Sequence, residues 1–376
     1  TAAVIDVGTT SIRMAIADID DAGDVHLLSS LSQAVALGKD TFTRGSIEKS
    51  TIEECVRVLK SYKRVLAEYG IDRPDQVNGI KPLDEAKQYN TGATTVAWLK
   101  RQTQEVAEQK LWDLMVSNIE STRKLVERVG KLDEQYRMVR ISSDILPVYT
   151  QPDFSYFWRR PDVVSYSERH FADVGVLARG NRVRLSFHPG QFCVLASADD
   201  GIVERSIEEF EYHADMARWM GYGKSWHDHG FKINVHLSGR GGATKFLETL
   251  GRLSPEARNL ITIENDEMAN GLDVTLAVAE HVALVLDIHH HWVNSGEYIS
   301  PQDDRTKRII DSWRGTRPVL HYSVSREDIL VDHCTRTRPD HAQLLANGVK
   351  KQQLRAHSDF MWNNAVNEWA LSFAPN

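Results

Sequence analysis

The stretch LITIENDEMANGLDVTLAVAEHVALVLDIHHHW, residues 260–292, reads as one strand–helix–strand unit. LITIEN (260–265) and ALVLDIH (283–289) are apolar runs of strand length, and apolar residues at helical spacing over 272–281 join them. A strand that is apolar at nearly every position is covered on both faces, which marks a parallel sheet flanked by helices. Each run also ends in chemistry. Glu264 closes the first, and Asp287 with the triplet His289–His291 closes the second.

The alternation extends outward in both directions. Further β-rich runs stand at MVRIS (138–142), VRLSFH (183–188), KINVHL (232–237), PVLHYS (318–323) and LRAHS (354–358). Helical patterns fall at about 105–129, 161–180, 203–220, 304–313, 340–347 and 360–372. Seven such runs come close to the eight of a (β/α)₈ barrel, so the expectation is an α/β fold of the TIM-barrel type. An open doubly wound sheet is the alternative, but no glycine-rich phosphate loop follows an early strand. One strand is missing from the count, ahead of the 105–129 helix.

Residues 1–72 carry a different pattern. AAVIDVGTTSIRMAIADID (2–20) is two β-rich segments joined at Gly8-Thr9-Thr10, with a third strand expected at 25–36. Ser50 and the acids after it open a helix whose Ile52, Val56, Leu59, Tyr62 and Leu66 keep helical spacing up to Gly70. Residues 73–104 then show Pro, Asn and Gly punctuation without periodicity and read as a long loop.

Composition sets outer limits. At 376 residues the chain has room for two domains, and 41% hydrophobic with 26% charged residues is ordinary for a chain that buries a core. No apolar run is long enough to span a bilayer. Three scattered cysteines (Cys55, Cys193, Cys334) form neither a disulfide framework nor a thiolate zinc site, which suits a reducing cytoplasm. A net charge of −7 gives no general attraction to nucleic acid, so DNA binding would need a local basic surface.

Fourteen of the fifteen histidines lie at or beyond residue 170, several of them at strand ends. In a parallel barrel the carboxyl ends of the strands form one rim, where active sites are built. That rim would receive His188, His236, Glu264, Asp287 with His290, His321 and His357. A lone strand-end histidine is usually satisfied by backbone, and a lone Glu or Asp by a helix cap or an ion pair. Taken together they would place too much charge in a desolvated rim without a cation. Imidazole and carboxylate without thiolate suit divalent Mn, Zn, Fe or Mg. His341, ahead of a helix, is either a ligand or a cap. In HPGQF (188–192), Pro-Gly turns the chain and leaves Gln191 and Phe192 either to enter a base stack or to pack into the core.

From about residue 73 to 373 the chain resembles the UV damage endonuclease family. The matching stretches are RMVRISSDILP (137–147), VRLSFHPGQFCVLAS (183–197), NVHLSG (234–239), ITIENDE (261–267), VLDIHHHW (285–292), HYSVS (321–325) and LRAHSDFMWNNAVNEW (354–369). The resemblance implies a barrel similar to endonuclease IV and xylose isomerase. It further implies metal-dependent incision immediately 5′ of ultraviolet photoproducts in double-stranded DNA, with two or three divalent ions, manganese foremost. Carried over by position, the metal ligands would be His188, His236, Glu264, Asp287, His290, His321, His341 and His357, and the first four with His321 would also be catalytic. Gln191 and Phe192 would probe the lesion. Gln151 and Val319 stand where the family implies a histidine and a lysine, and the family's first strand has no counterpart.

Residues 1–71 resemble the phosphate-binding hairpin of the exopolyphosphatase/guanosine pentaphosphatase family, with Asp6, Gly8, Thr9 and Thr10 as the implied phosphate-binding positions. Without the rest of that fold, the segment is expected to be a non-catalytic, partial actin-like piece ahead of a barrel at 72–376. The resulting expectation is a DNA repair endonuclease with no membrane attachment and no obligate protein partner. A metal-dependent sugar isomerase or epimerase, or a catalytically disabled DNA- or phosphate-binding fusion, are the alternatives.

Overall fold

A computed structural model describes residues 1–8, 11–20, 24–35, 49–71, 87–330 and 333–374. The chain divides into two compact units, one of residues 1–81, 295–298 and 322–376, the other of residues 82–294 and 299–321.

In the first unit, β1 (Ala2–Val7), β2 (Ser11–Ile19) and β3 (Val25–Ala34) form an antiparallel sheet in the order β1-β2-β3. Alternation decides which face is covered: Ile12, Met14 and Ile16 are buried, while Arg13 and Ala15 are exposed. The helix Lys49–Glu68 contributes Val58, Tyr62 and Leu66 to the same core, one turn apart each, and the Tyr62 hydroxyl donates to Ile12 O at 2.8 Å. The C-terminal part of the chain completes this unit. Phe360 joins the core, and Glu327 accepts from Gln33 Nε2 and from Ser358 Oγ, both at 2.8 Å. Arg326 meets Glu54 at 3.4 Å and Asp328 at 3.0 Å.

The second unit holds six parallel strands in consecutive order: β4 (Met138–Arg140), β5 (Arg184–Phe187), β6 (Lys232–His236), β7 (Ile261–Glu264), β8 (Ala283–Asp287) and β9 (Leu320–His321). This curled, half-barrel sheet is the α/β barrel-type architecture expected from the sequence, with six strands among the described residues. Crossover helices begin and end where side chains dictate. Helix Pro161–Gly180 has Pro161 in its first turn and buries Val163, Ser167, Phe171, Val174 and Ala178 at steps of three and four. Gly175 lets it approach the end of the Asp200–Trp219 helix, since a Cβ there would sit 1.8 Å from Met220 O.

Two expected strands differ. The run 283–289 leaves the strand at Asp287, and a helix, Ile288–Ser295, follows at once. Asp287 Oδ1 accepts from His290 N at 2.7 Å, an N-cap bond that starts the helix. The seventh run, 354–358, adds no strand to the sheet. Gln353 accepts from Lys350 N at 2.9 Å beside the helical turn Lys351–Leu354, and His357 forms an isolated antiparallel bridge with Ser325.

The described part of the expected 73–104 loop is anchored. Buried Asn118 accepts from Gly92 N at 2.7 Å and donates to Gly92 O at 2.9 Å and Ile145 O at 3.0 Å. Residues 73–86 of that loop lie outside the described residues.

Candidate metal centre

Register places the chemistry. Parallel pairing sets His236 opposite Glu264 and Asp287 opposite His321, so strand-end groups from neighbouring strands become neighbours in space. Period-two alternation then turns His236 and Glu264 to one face of the sheet, while Val235 and Ile263 take the other. Beyond β7, the Asn265 side chain continues the ladder in place of a strand. Its Oδ1 accepts from Asp287 N and its Nδ2 donates to Asp287 O, each at 2.9 Å, which fixes the ends of β7 and β8 together.

Glu264 is the hub. It is 1% exposed, and His321 Nδ1 approaches Oε2 at 2.9 Å and His188 Nε2 at 3.6 Å, while His290 Nδ1 lies 3.4 Å from Oε1. Burial alone would favour its neutral acid, but His321 and His188 overcome this and hold the carboxyl well below its ordinary range. Around it, ligand-type atoms of His188, His236 and Glu264 lie within 4.8 Å of one another, as do those of His236, Glu267 and His290, and of Glu264, Asp287 and His290.

Second contacts set the imidazole tautomers. His188 Nδ1 lies 3.1 Å from Pro189 O and His290 Nδ1 3.1 Å from Asn265 O. A carbonyl can only accept, so each Nδ1 carries a proton, which leaves Nε2 as the nitrogen that would give up its proton to a bound cation. On His290, Nε2 points towards Asp287 Oδ2 at 3.7 Å and Glu267 Oε2 at 3.9 Å. Burial opposes charge on this ring, yet Asp287, Glu264 and Glu267 outweigh it and raise its pKa. His236 goes the other way: burial dominates and lowers it. The donor set is therefore buried carboxylate and imidazole nitrogen without sulfur, which fits a first-row divalent cation.

The expected residues divide between the units. His188, His236, Glu264, Asp287, His290 and His321 converge in the second. His321 joins through Glu264 and is in none of the three groupings. His341 and His357 belong to the first unit. His341 is the first residue of the helix His341–Ala346, whose cap is Asp340, accepting from Gln343 N at 3.0 Å. His289 and His291 are buried on the same short helix as His290.

The loop after β5 leaves Gln191 exposed and Phe192 85% exposed, so Phe192 is not a core residue. In the N-terminal hairpin, Gly8 N donates to Ser11 O at 2.8 Å and Asp6 pairs with Arg13 across β1 and β2. Thr9 and Thr10 lie outside the described residues. Val319 is buried with Ala283, Val285 and Trp313.

The sequence reading passed over Lys232, Asn234 and Glu267. Lys232 is 2% exposed, its Nζ is 3.5 Å from His321 Nε2, and burial brings its pKa down to about 7. The available signal was alternation: residues 232, 234 and 236 share one face of β6.

Comparison with known proteins matches residues 80–372 to the family described as UV-endonuclease UvdE. A UV DNA damage endonuclease of Bacillus mycoides is 27% identical over 244 residues, covering 62% of this chain and 72% of the relative. The solved structure described as "Crystal Structure of SacUVDE" aligns with a TM-score of 0.51 at 23% identity, over 70% of this chain and 89% of that one, and shares the fold. A Ppx/GppA family member from Aquifex aeolicus covers 93% of this chain and 99% of its own, but at 13% identity and a TM-score of 0.21.

Proposed function

Because the chain belongs to the UV-endonuclease UvdE family, we propose that it incises double-stranded DNA at ultraviolet photoproducts, hydrolysing the phosphodiester immediately 5′ of the lesion. The observation that carries this reading is the set of three interlocking His/carboxylate groups at the ends of consecutive parallel strands. His188, His236, Glu264, Asp287 and His290 would hold divalent cations, manganese foremost, with His321 supporting Glu264; His341 and His357 stay proposed as ligands on the family resemblance alone. Such ions polarise a phosphoryl oxygen and make water a nucleophile near neutral pH.

The chain's own residues do the rest. Asn265 holds two strand ends in register, and the Pro189 and Asn265 carbonyls keep the imidazoles of His188 and His290 in ligand-competent tautomers. Gln191 and the exposed ring of Phe192 would enter the duplex where a lesion has weakened stacking, since a distorted pair costs less to open. Residues 72–376 would form the endonuclease module and residues 1–71 a non-catalytic addition, with Asp6, Gly8, Thr9 and Thr10 serving no phosphatase. The described residues contain no helix long and apolar enough to cross a membrane, and the cytoplasm is the proposed setting.

The test is incision of an end-labelled duplex carrying one defined photoproduct, with Mn²⁺ supplied. A single nick 5′ of the lesion is expected, abolished by chelator and by His236→Ala. Folded, Mn²⁺-loaded protein that leaves this duplex intact overturns the reading.

A further inference from the structure

We infer that Asn234 and Thr262 are positioning residues that fix the acceptor face of Glu264 towards the imidazoles, and so set how tightly the centre holds a divalent cation. This rests on the metal-centre reading above and deepens it. Asn234 and Thr262 are both fully buried, in the middle of β6 and β7, and are paired in register. Alternation puts them on the same sheet face as His236 and Glu264, one step nearer the start of each strand.

The two side chains form a directed relay. Thr262 Oγ1 lies 2.7 Å from Asn234 Oδ1, and Asn234 Nδ2 donates to Glu264 Oε2. A hydroxyl can give or take a hydrogen bond, but the amide oxygen can only accept. Thr262 therefore donates, and the amide must turn its N–H₂ towards Glu264. Both side chains are fully buried, so leaving either bond unmade is costly. An N–H donor favours ionised Glu264 and pins one of its oxygens, so the other oxygen and the remaining lone pairs are aimed by the relay. Second contacts of this kind typically change metal affinity by about 10–100-fold.

A buried polar pair that serves only strand packing would affect stability and leave affinity alone. The experiment is calorimetric titration of the full chain with Mn²⁺, with a urea melt of each protein alongside. The proteins are wild type, Thr262→Val, Thr262→Ser, Asn234→Leu, the Thr262→Val/Asn234→Leu double variant, and Glu264→Gln. Thr262→Val keeps the shape and removes the hydroxyl, and is expected to weaken Mn²⁺ binding about 10-fold or more. Thr262→Ser restores the donor and should stay within about 3-fold of wild type. Asn234→Leu should lose at least as much as Thr262→Val, and the double variant no more than Asn234→Leu, because both act through one bond to Glu264. Wild-type affinity in Thr262→Val, with only its urea midpoint lowered, overturns the inference and leaves the metal centre standing. If Asn234→Leu does not fold, the Val and Ser variants at 262 decide alone. Wild type and Glu264→Gln that bind Mn²⁺ equally poorly would overturn the metal centre itself, and the inference with it.

Discussion

Replacing His213 by Leu should remove a defined part of the acid sensitivity of the fold. His213 lies on the Asp200–Trp219 helix and is fully buried, with its ring 5.2 Å edge-on from Phe187 of β5, the strand that leads into His188. Its Nδ1 is 2.7 Å from Glu209 O, while Nε2 has no partner among the described residues. Burial pulls its pKa down to about 4, against an ordinary value near 6.5 in the unfolded chain. The unfolded chain therefore takes up this proton first as pH falls. The stability linked to His213 is fully present above pH ~6.5 and is lost progressively towards pH ~4. Between pH ~7.5 and pH ~5 the difference in proton binding amounts to about 2 kcal/mol, a sizeable part of the ~5–15 kcal/mol typical of a folded protein. The assay is urea unfolding of wild type and His213→Leu at both pH values, with chelator present. Every other titrating group, including His227, whose pKa burial also lowers to about 4, is common to both proteins and cancels. Wild type should lose about 2 kcal/mol more than the variant on acidification. Parallel losses would refute the reasoning, because His213 would then bind its proton equally well folded and unfolded.

Other expected outcomes bear on recognition and packing. Gln191→Ala/Phe192→Ala should lower the preference for photoproduct over undamaged duplex while leaving Mn²⁺ content and the urea midpoint unchanged, since Phe192 is 85% exposed; equal loss of metal and selectivity would show that the loop props up the centre. Gly175→Ala should destabilise the chain by about 3 kcal/mol or more, because its Cβ would stand 1.8 Å from the Met220 carbonyl oxygen and the backbone must move. Gly180→Ala, with nothing within 4 Å of the added carbon, is the matched control and should be neutral or slightly stabilising in the same urea melt.

What the sequence disclosed follows from where the physics was local. Pro161 and Gly180 bracket one helix at the bounds the pattern indicated, because a proline in the first turn and a terminal glycine act within a residue or two of themselves. The six strands lie within a few residues of their apolar runs for a similar reason: a parallel sheet buries both faces, so its strands leave a hydropathy trace. The seventh run failed because LRAHS has a strand-like composition, while its fate was decided upstream by Gln353 reaching Lys350 N. In the same way the run at 283–289 concealed a helix start, and the deciding group was Asp287. One oxygen of that carboxylate caps the helix through His290 N, and the other lies 3.7 Å from Nε2 of the same histidine. Cap and candidate ligand are thus one residue, and either reading taken alone misses half of it. The rim was legible because charged residues at the ends of apolar runs stand out against their surroundings. Asn234 and Thr262 were not, since a polar residue inside a strand signals nothing until the register shows whom it faces. His341 and His357 show how little position along the chain says by itself: the first opens the helix His341–Ala346, and the second follows a run that adds no strand to the sheet among the described residues.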